Sequence, residues 1–303
     1  MLIKVLGSAA GGGLPQINCN CRNCADARRG NPAVRVRTQS SLAVSGDGRN
    51  WTLLNASPDL RQQIAATPQL WPSLEAGMRS TPIASIILTS ADVDHIAGLL
   101  SLREGVPFTL YASPSVHEAL RANPIYNVLD PAHVVSRNVP LGSAFPIAGG
   151  LSVEAFVVPG KVALYLENPA TLAGSRSGDT LGLKISDPRH GAAFHYIPGC
   201  AGLDAALAAR LRGAALVLFD GTLYTDDEMI VQGLSAKTGQ RMGHMAMTGA
   251  QGSLAAFKAL DVKRRIFVHI NNSNPALREG SPERLEVEAA GWEIAWDGME
   301  IEI

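Results

Sequence analysis

The sequence predicts one α/β domain over residues 1–303, with two packed sheets inside and helices outside. Three observations point to it. Short apolar runs rich in β-branched residues alternate with turn signals along the whole length, and several are almost continuously apolar, as strands covered on both faces are. Helical patterns with recognisable starts fall between these runs. No linker, fixed-period repeat or low-complexity stretch divides the chain, and 303 residues are enough to bury a sizeable core.

Taken in order, Leu2–Leu6 reads as a strand and not as a secretory leader, which would run from charged to apolar to small residues. Strands are expected at Trp51–Leu54 and Ile83–Leu88. Between them Ser57 is a ready N-cap for a helix over Pro58–Ile64, with proline at the first helical position. Helices Ile96–Leu102 and Pro114–Arg121 flank the strand Phe108–Tyr111. Strands follow at Val153–Val158, Thr180–Ile185, Ala193–Ile197 and Ala215–Phe219, the last two separated by a helix at Leu203–Arg210. Helix Gln251–Ala259, strand Arg265–Ile270, helix Pro282–Ala290 and strand Glu293–Trp296 complete the pattern.

Lys and Arg number 26 against 27 Asp and Glu, a formal net charge of −1. That balance offers no basic footprint for nucleic acid and no acidic excess of the kind found in disordered tails. The apolar runs stay well short of the roughly 20 residues that a membrane span requires. A soluble protein of the cytoplasm is the expectation. In a reducing compartment the spacing Cys19-x-Cys21-x-x-Cys24 reads as a metal clip and not as a disulfide framework, while Cys200 stands apart near the end of a strand.

A second chemical signal lies at Ile86–Leu99, where an apolar strand runs into a polar knot and then a helix start. Such a connection directs several side chains from one short loop toward one point. Asp92, Asp94 and His95 can converge there on a metal, or the two aspartates can cap the helix and favour its dipole.

The segment resembles the signature of the metallo-β-lactamase superfamily, Thr-His-x-His-x-Asp-His followed by a small residue, Gly and Leu. Thr89, Asp94, His95, Gly98 and Leu99 match, whereas Ser90 and Asp92 stand where the first two histidines belong. Leu6-Gly7-Ser8 with Gly11-Gly12-Gly13 is similar to the family's opening strand and glycine turn, and Val268-His269-Ile270 to its late metal-binding strand end. The resemblance implies a four-layer αββα sandwich of two mixed sheets. The cysteine clip, Val158-Pro159-Gly160-Lys161 through Tyr165, and His269-Ile270-Asn271-Asn272 resemble a subgroup of that superfamily, the pyrroloquinoline quinone (PQQ) biosynthesis B proteins.

From this resemblance follow several expectations. Cys19, Cys21 and Cys24 would hold a structural Zn²⁺, with Asn272 at the position where related phosphodiesterases place a histidine; Asn274 and water remain open alternatives for the fourth ligand. The other metal-ligand positions of the family fall at Pro159-Gly160-Lys161 and Gly199-Cys200, which offer neither imidazole nor carboxylate. A full dinuclear zinc site is therefore not expected. Asp92, Asp94, His95 and His269 remain for a single divalent ion, Fe²⁺ by the likeness of two imidazoles and a carboxylate to non-haem iron sites, although copper or zinc can also occupy such donors. Asp220 and His244 resemble residues that ribonuclease Z-like relatives carry near the site, as ligand, proton carrier or substrate contact; a turn cap and a surface histidine are the alternatives. Lys161 and Arg241 are candidates to meet substrate carboxylates. His117, His133, His190 and His195 have no assigned role.

The expected function is metal-dependent, O2-using hydroxylation of a tyrosine-derived peptide precursor in PQQ biosynthesis, by a homodimer. A hydrolase with metal-bound water and a non-catalytic carrier that aids transport of PQQ or its precursor to the periplasm are the alternatives.

Overall fold

The structure is a computed structural model that describes residues 1–167 and 176–303. Among the described residues the strands are β1 (Leu2–Gly7), β2 (Ser41–Ser45), β3 (Trp51–Leu54), β4 (Ile83–Ile87), β5 (Phe108–Ala112), β6 (Val134–Asn138), β7 (Ala144–Pro146), β8 (Ser152–Val157), β9 (Leu181–Asp187), β10 (Ala192–Ile197), β11 (Leu216–Asp220), β12 (Arg264–Val268), β13 (Trp292–Ile294) and β14 (Glu300–Glu302). They form two seven-stranded sheets, ordered β14-β1-β2-β3-β4-β5-β6 and β13-β12-β11-β10-β9-β8-β7. Both are mixed. β3 to β6 run parallel in the first sheet and β10 to β13 in the second, while the remaining pairings are antiparallel.

Strand alternation divides the apolar residues between layers. Leu54 and Ile87 of the first sheet meet Leu216, Leu218, Ile266 and Val268 of the second in the central core. Their neighbours Leu53 and Ile86 face outward with Leu60, Leu99 and Val116 under the helices of one side. Val217, Phe219 and Phe267 do the same on the other side, with Phe257 and Trp292; the Phe267 and Trp292 rings stack with centroids 4.0 Å apart. This is the four-layer αββα sandwich that the sequence predicts, and it explains why the central strands are continuously apolar. Each buried Leu, Ile or Phe contributes roughly 1.5–3 kcal/mol.

Four strands escape the sequence reading. β6, β7 and β14 border the sheets and are half-exposed or exposed along much of their length, so they lack the apolar run of a central strand. β2 is wholly buried, but its Ser-Leu-Ala-Val-Ser sequence carries few large side chains. The helix Arg22–Arg28, which brings Cys24 into the clip, is also unexpected, since no apolar periodicity marks it. The helix expected at Ile96–Leu102 is instead one α-turn, Val93–Ile96, continued as a 3-10 helix over Ala97–Leu102.

Parallel strands in both sheets end on the same side of the sandwich, where ligands of open α/β sheets characteristically bind. Asp220 ends β11 on the face shared by Leu216 and Leu218, so it points between the sheets at that edge.

Candidate metal centre

The first sheet supplies one half of the site through the loop that follows β4. Thr89 is clamped by Asn55, whose side-chain N–H donates to Thr89 Oγ1 at 2.9 Å and whose Oδ1 accepts the Thr89 backbone N–H at 2.8 Å. The chain then turns at Asp92, the N-cap residue of the one-turn helix, and that turn carries Asp94 and His95 inward. The helix must lie tight against Ala56-Ser57, because a side chain at Gly98 would run into the Ser57 carbonyl. His95 Nδ1 lies 2.8 Å from Ser90 Oγ, which donates to Asp92 Oδ2 at 2.7 Å.

The second sheet supplies the other half. His269 follows β12 with φ +54, a left-handed conformation in which histidine is among the more tolerated residues. Its Nε2 lies 2.9 Å from Asp94 Oδ2 and its Nδ1 2.8 Å from Thr222 Oγ1. His244 stands just after Gly243, whose φ of +86 ends the helix Gly239–Met242, and its Nδ1 is 2.7 Å from Asp220 Oδ2. The His244 and His269 rings stack at 5.2 Å. Asp220 also accepts the Cys200 and Thr222 backbone N–H groups at 2.9 and 3.0 Å, so it tethers its turn and faces the site at once.

Two groups of donor atoms emerge, Asp94 with His95 and His269, and Asp220 with His244 and His269; within each, all ligand atoms lie within 4.8 Å of one another. Asp92, expected as a ligand, belongs to neither group. Its carboxylate accepts from the Ser90 hydroxyl at 2.7 Å and lines the same cavity as Asp94.

The fit to a cation rests on one atom. His95 Nε2 is buried without a hydrogen-bond partner, 3.9 Å from Asp94 Oδ2. A buried nitrogen is costly when unsatisfied, and this one shares its carboxylate with His269. Electrostatics agree. Burial opposes ionisation of Asp94, but His95 and His269 outweigh it and hold the carboxyl far below its usual range. Burial also drives His95 down toward the neutral form that binds metal, against the attraction of Asp94. Burial would lower His269 too, yet its hydrogen bond to Asp94 raises it, as suits an imidazolium that takes a cation's place. The Asp220 carboxyl is likewise held low, His244 prevailing over burial.

Asp94, His95, His244 and His269 line an open cavity of about 410 Å³, together with Gln16, Lys161, Thr180, Lys237 and Asn271. Lys161, expected to meet a substrate carboxylate, is paired within the chain: its Nζ is 3.2 Å from Glu167 Oε1, which Arg241 also reaches at 3.1 Å. The Arg241 and Lys161 contacts hold the Glu167 carboxyl down to about 2. Lys237, which no motif marks, lines the cavity with no ion pair among the described residues. Ser90 and Thr222 are also outside the expected set, since hydroxyl side chains give no metal-ligand signal.

The three clip cysteines come together on the far side of the same chain segment. Asn272 Nδ2 lies 3.1, 3.5 and 3.3 Å from the sulfurs of Cys19, Cys21 and Cys24. The amide end of Asn272 thus sits at the open corner of the thiol triangle, and Asn23 Nδ2 donates to the Asn272 carbonyl at 3.0 Å. Asn274 instead donates to the Gly221 carbonyl at 3.1 Å. Burial pushes the Cys24 thiol up to about 12, with the neighbouring sulfurs adding to the rise. Three thiolates suit zinc, and Asn272 can offer its amide oxygen at the fourth corner once the amide is turned.

The β-lactamase superfamily domain matches residues 50–270 of the chain. Coenzyme PQQ synthesis protein B of Xanthomonas oryzae pv. oryzae (strain MAFF 311018) is 52% identical over 303 residues, covering 99% of each chain. That of Methylobacterium radiotolerans is 49% identical over 303 residues, covering 100% of each. The 1.98 Å crystal structure of Zn²⁺-bound PqqB from Methylobacterium extorquens superimposes with a TM-score of 0.96 at 49% identity over 100% of both chains. A diphosphatase of the PhnP family shares the fold, with a TM-score of 0.68 at 21% identity over 100% of this chain and 97% of that one.

Proposed function

Because the chain belongs to the coenzyme PQQ synthesis protein B family of the β-lactamase superfamily, we propose that it works in PQQ biosynthesis, hydroxylating a tyrosine ring of a peptide-derived precursor with O2. The observation that carries this reading is the unpartnered His95 Nε2 beside Asp94 and His269. Two imidazoles and one carboxylate converge from one side, and the cavity leaves the other side open. Bound there, Fe²⁺ would supply the redox chemistry that lets O2 react. Asp94, His95 and His269 would hold the ion, and a separate Zn²⁺ in the clip would serve structure alone.

His244 has the geometry of a proton carrier. Asp220 anchors its Nδ1, which leaves Nε2 for the cavity. Lys161 and Arg241 can turn from Glu167 to a carboxylate of the precursor, so Glu167 is a placeholder at the mouth of the site. We place this activity in the cytoplasm, in a homodimer; among the described residues no helix is long and apolar enough to cross a membrane.

A second reading, metal-dependent hydrolysis, is favoured by the Asp220–His244–His269 group, which shares His269 and offers donors for a second ion. One experiment separates the readings. Protein loaded anaerobically with Fe²⁺ is mixed with precursor and a two-electron reductant and then exposed to O2. Gain of one oxygen atom on the tyrosine ring, absent in His269→Ala, supports the hydroxylase. A cleaved bond without oxygen incorporation selects the hydrolase, and binding without any product selects the carrier.

A further inference from the structure

We propose that Ser90 and Thr222 are positioning residues of the metal centre. Each hydroxyl accepts a hydrogen bond from the Nδ1–H of one imidazole and donates its own O–H to a carboxylate, so that both Nε2 atoms face Asp94. The inference rests on the reading of the cavity as a metal site, and it gives Asp92 and Asp220 a matched role.

A hydroxyl has one proton and two lone pairs, whereas an ionised carboxylate can only accept. Ser90 Oγ lies 2.7 Å from Asp92 Oδ2 and 2.8 Å from His95 Nδ1. Its proton goes to the carboxylate, so it can only accept from His95, whose Nδ1 must carry the hydrogen. The other nitrogen of the neutral ring is then bare. That nitrogen is His95 Nε2, the buried atom with no partner.

The second sheet repeats the arrangement with different residues. Thr222 Oγ1 lies 2.6 Å from Asp220 Oδ1, 2.8 Å from His269 Nδ1 and 2.9 Å from the His269 carbonyl. The shorter contact to the charged oxygen claims the proton, so His269 Nδ1 donates and Nε2 faces Asp94. Asp220 Oδ2 receives His244 Nδ1 directly at 2.7 Å. One carboxylate therefore orients two imidazoles, one of them through a hydroxyl. Partners of this kind fix ring orientation and raise ligand basicity, and their loss costs typically 10–100-fold in metal affinity.

The test uses Co²⁺ as the probe in competition with a chelator on the full chain. Thiolate-to-cobalt absorption in the near ultraviolet reports the clip, and visible d–d bands report the nitrogen and oxygen donors of the cavity. Ser90→Ala and Thr222→Val are expected to weaken the cavity bands by about 10–100-fold with the clip bands unchanged. Ser90→Thr and Thr222→Ser, which keep a hydroxyl, are expected to stay within about threefold of wild type. If the alanine and valine variants bind like wild type, the relay is overturned while the metal site stands. If the hydroxyl-retaining variants bind as poorly as the deletions, packing and not proton placement is responsible, and the relay is again overturned. Wild type that binds Co²⁺ only in the clip overturns the metal reading and the relay together. Long-range ¹⁵N spectra of histidine-labelled, metal-free wild type give a check that needs no variant: neutral His95 with its hydrogen on Nδ1 supports the relay, and a hydrogen on Nε2 overturns it.

Discussion

The clip and the cavity are fed by one stretch of chain, yet they are built on opposite principles. His269 and Asn271 face the cavity, and Asn272 closes the clip. The clip gathers sulfur from residues close in sequence and seals the remaining corner with an amide. The cavity gathers oxygen and nitrogen from both sheets, keeps 410 Å³ open beside them, and leaves one buried nitrogen without a partner. Under the proposed function the difference separates two uses of a cation. A closed, soft site holds a loop in place, while an open, hard one leaves room for a reacting molecule.

The largest effect expected is on the clip. Structural zinc sites carry on the order of 10 kcal/mol of apparent binding energy, so Cys24→Ser should lower thermal stability sharply, read by circular dichroism melting. In a graded chelation of wild type, cavity metal should leave first with the fold intact, and loss of clip metal should coincide with unfolding. If both leave together without unfolding, the contrast between the sites collapses.

Next comes the cavity. His269→Ala or Asp94→Asn should reduce hydroxylation by about 10³-fold or more, about 4 kcal/mol of barrier, with melting temperature close to wild type. A large loss of stability in these variants would mean that the cavity is also a structural site.

A smaller effect is expected from Glu228, which braces the segment joining the two sites by accepting from Ser273 and from the Tyr224 backbone N–H. Burial pushes this carboxyl up to about 7 from 4.5, against the hydrogen bonds it accepts. The folded state thus retains a proton that the unfolded chain releases. The corresponding stability is complete below pH 4.5 and is lost as pH rises to about 7, by at most roughly 3 kcal/mol. Glu228→Gln should flatten the denaturant-measured stability profile over that window. Parallel profiles for variant and wild type would remove Glu228 from the account.

The smallest effect is at the mouth. Lys161→Met breaks a partly exposed ion pair worth under about 1 kcal/mol. It should leave stability unchanged and raise KM for a carboxylate-bearing precursor several-fold with kcat within about twofold. A fall in kcat alone would assign Lys161 a part in the chemistry.

Much of this design is legible in the sequence wherever one residue type has one use. Runs such as Leu216–Phe219 announce strands because both faces are buried, and Cys19, Cys21 and Cys24 announce a clip because three close thiols have few other purposes. Gly98 is readable as a motif residue, although only the nearby Ser57 carbonyl explains it. Asp92 and Asp94 are harder to separate. Both line the cavity two positions apart at a helix start, and which one joins the donor group depends on where that helix begins, a boundary that neither composition nor periodicity resolves. Ser90 and Thr222 are illegible for another reason. A hydroxyl serves caps, turns and relays alike, and its role appears only when a carboxylate and an imidazole lie on either side.

The relative placement of the donors also bears on biogenesis. Asp94 and His269 are 175 residues apart and Cys19 and Asn272 are 253 apart. Neither proposed ion could meet its full set of ligands until Asn272 has left the ribosome and the two sheets have docked. Long loops of this kind close late in folding. Under the proposed function metal would therefore be an inspector of a folded product and not a nucleus for making it, and a chain ended before Arg264 would emerge with thiols and imidazoles exposed and neither donor set complete.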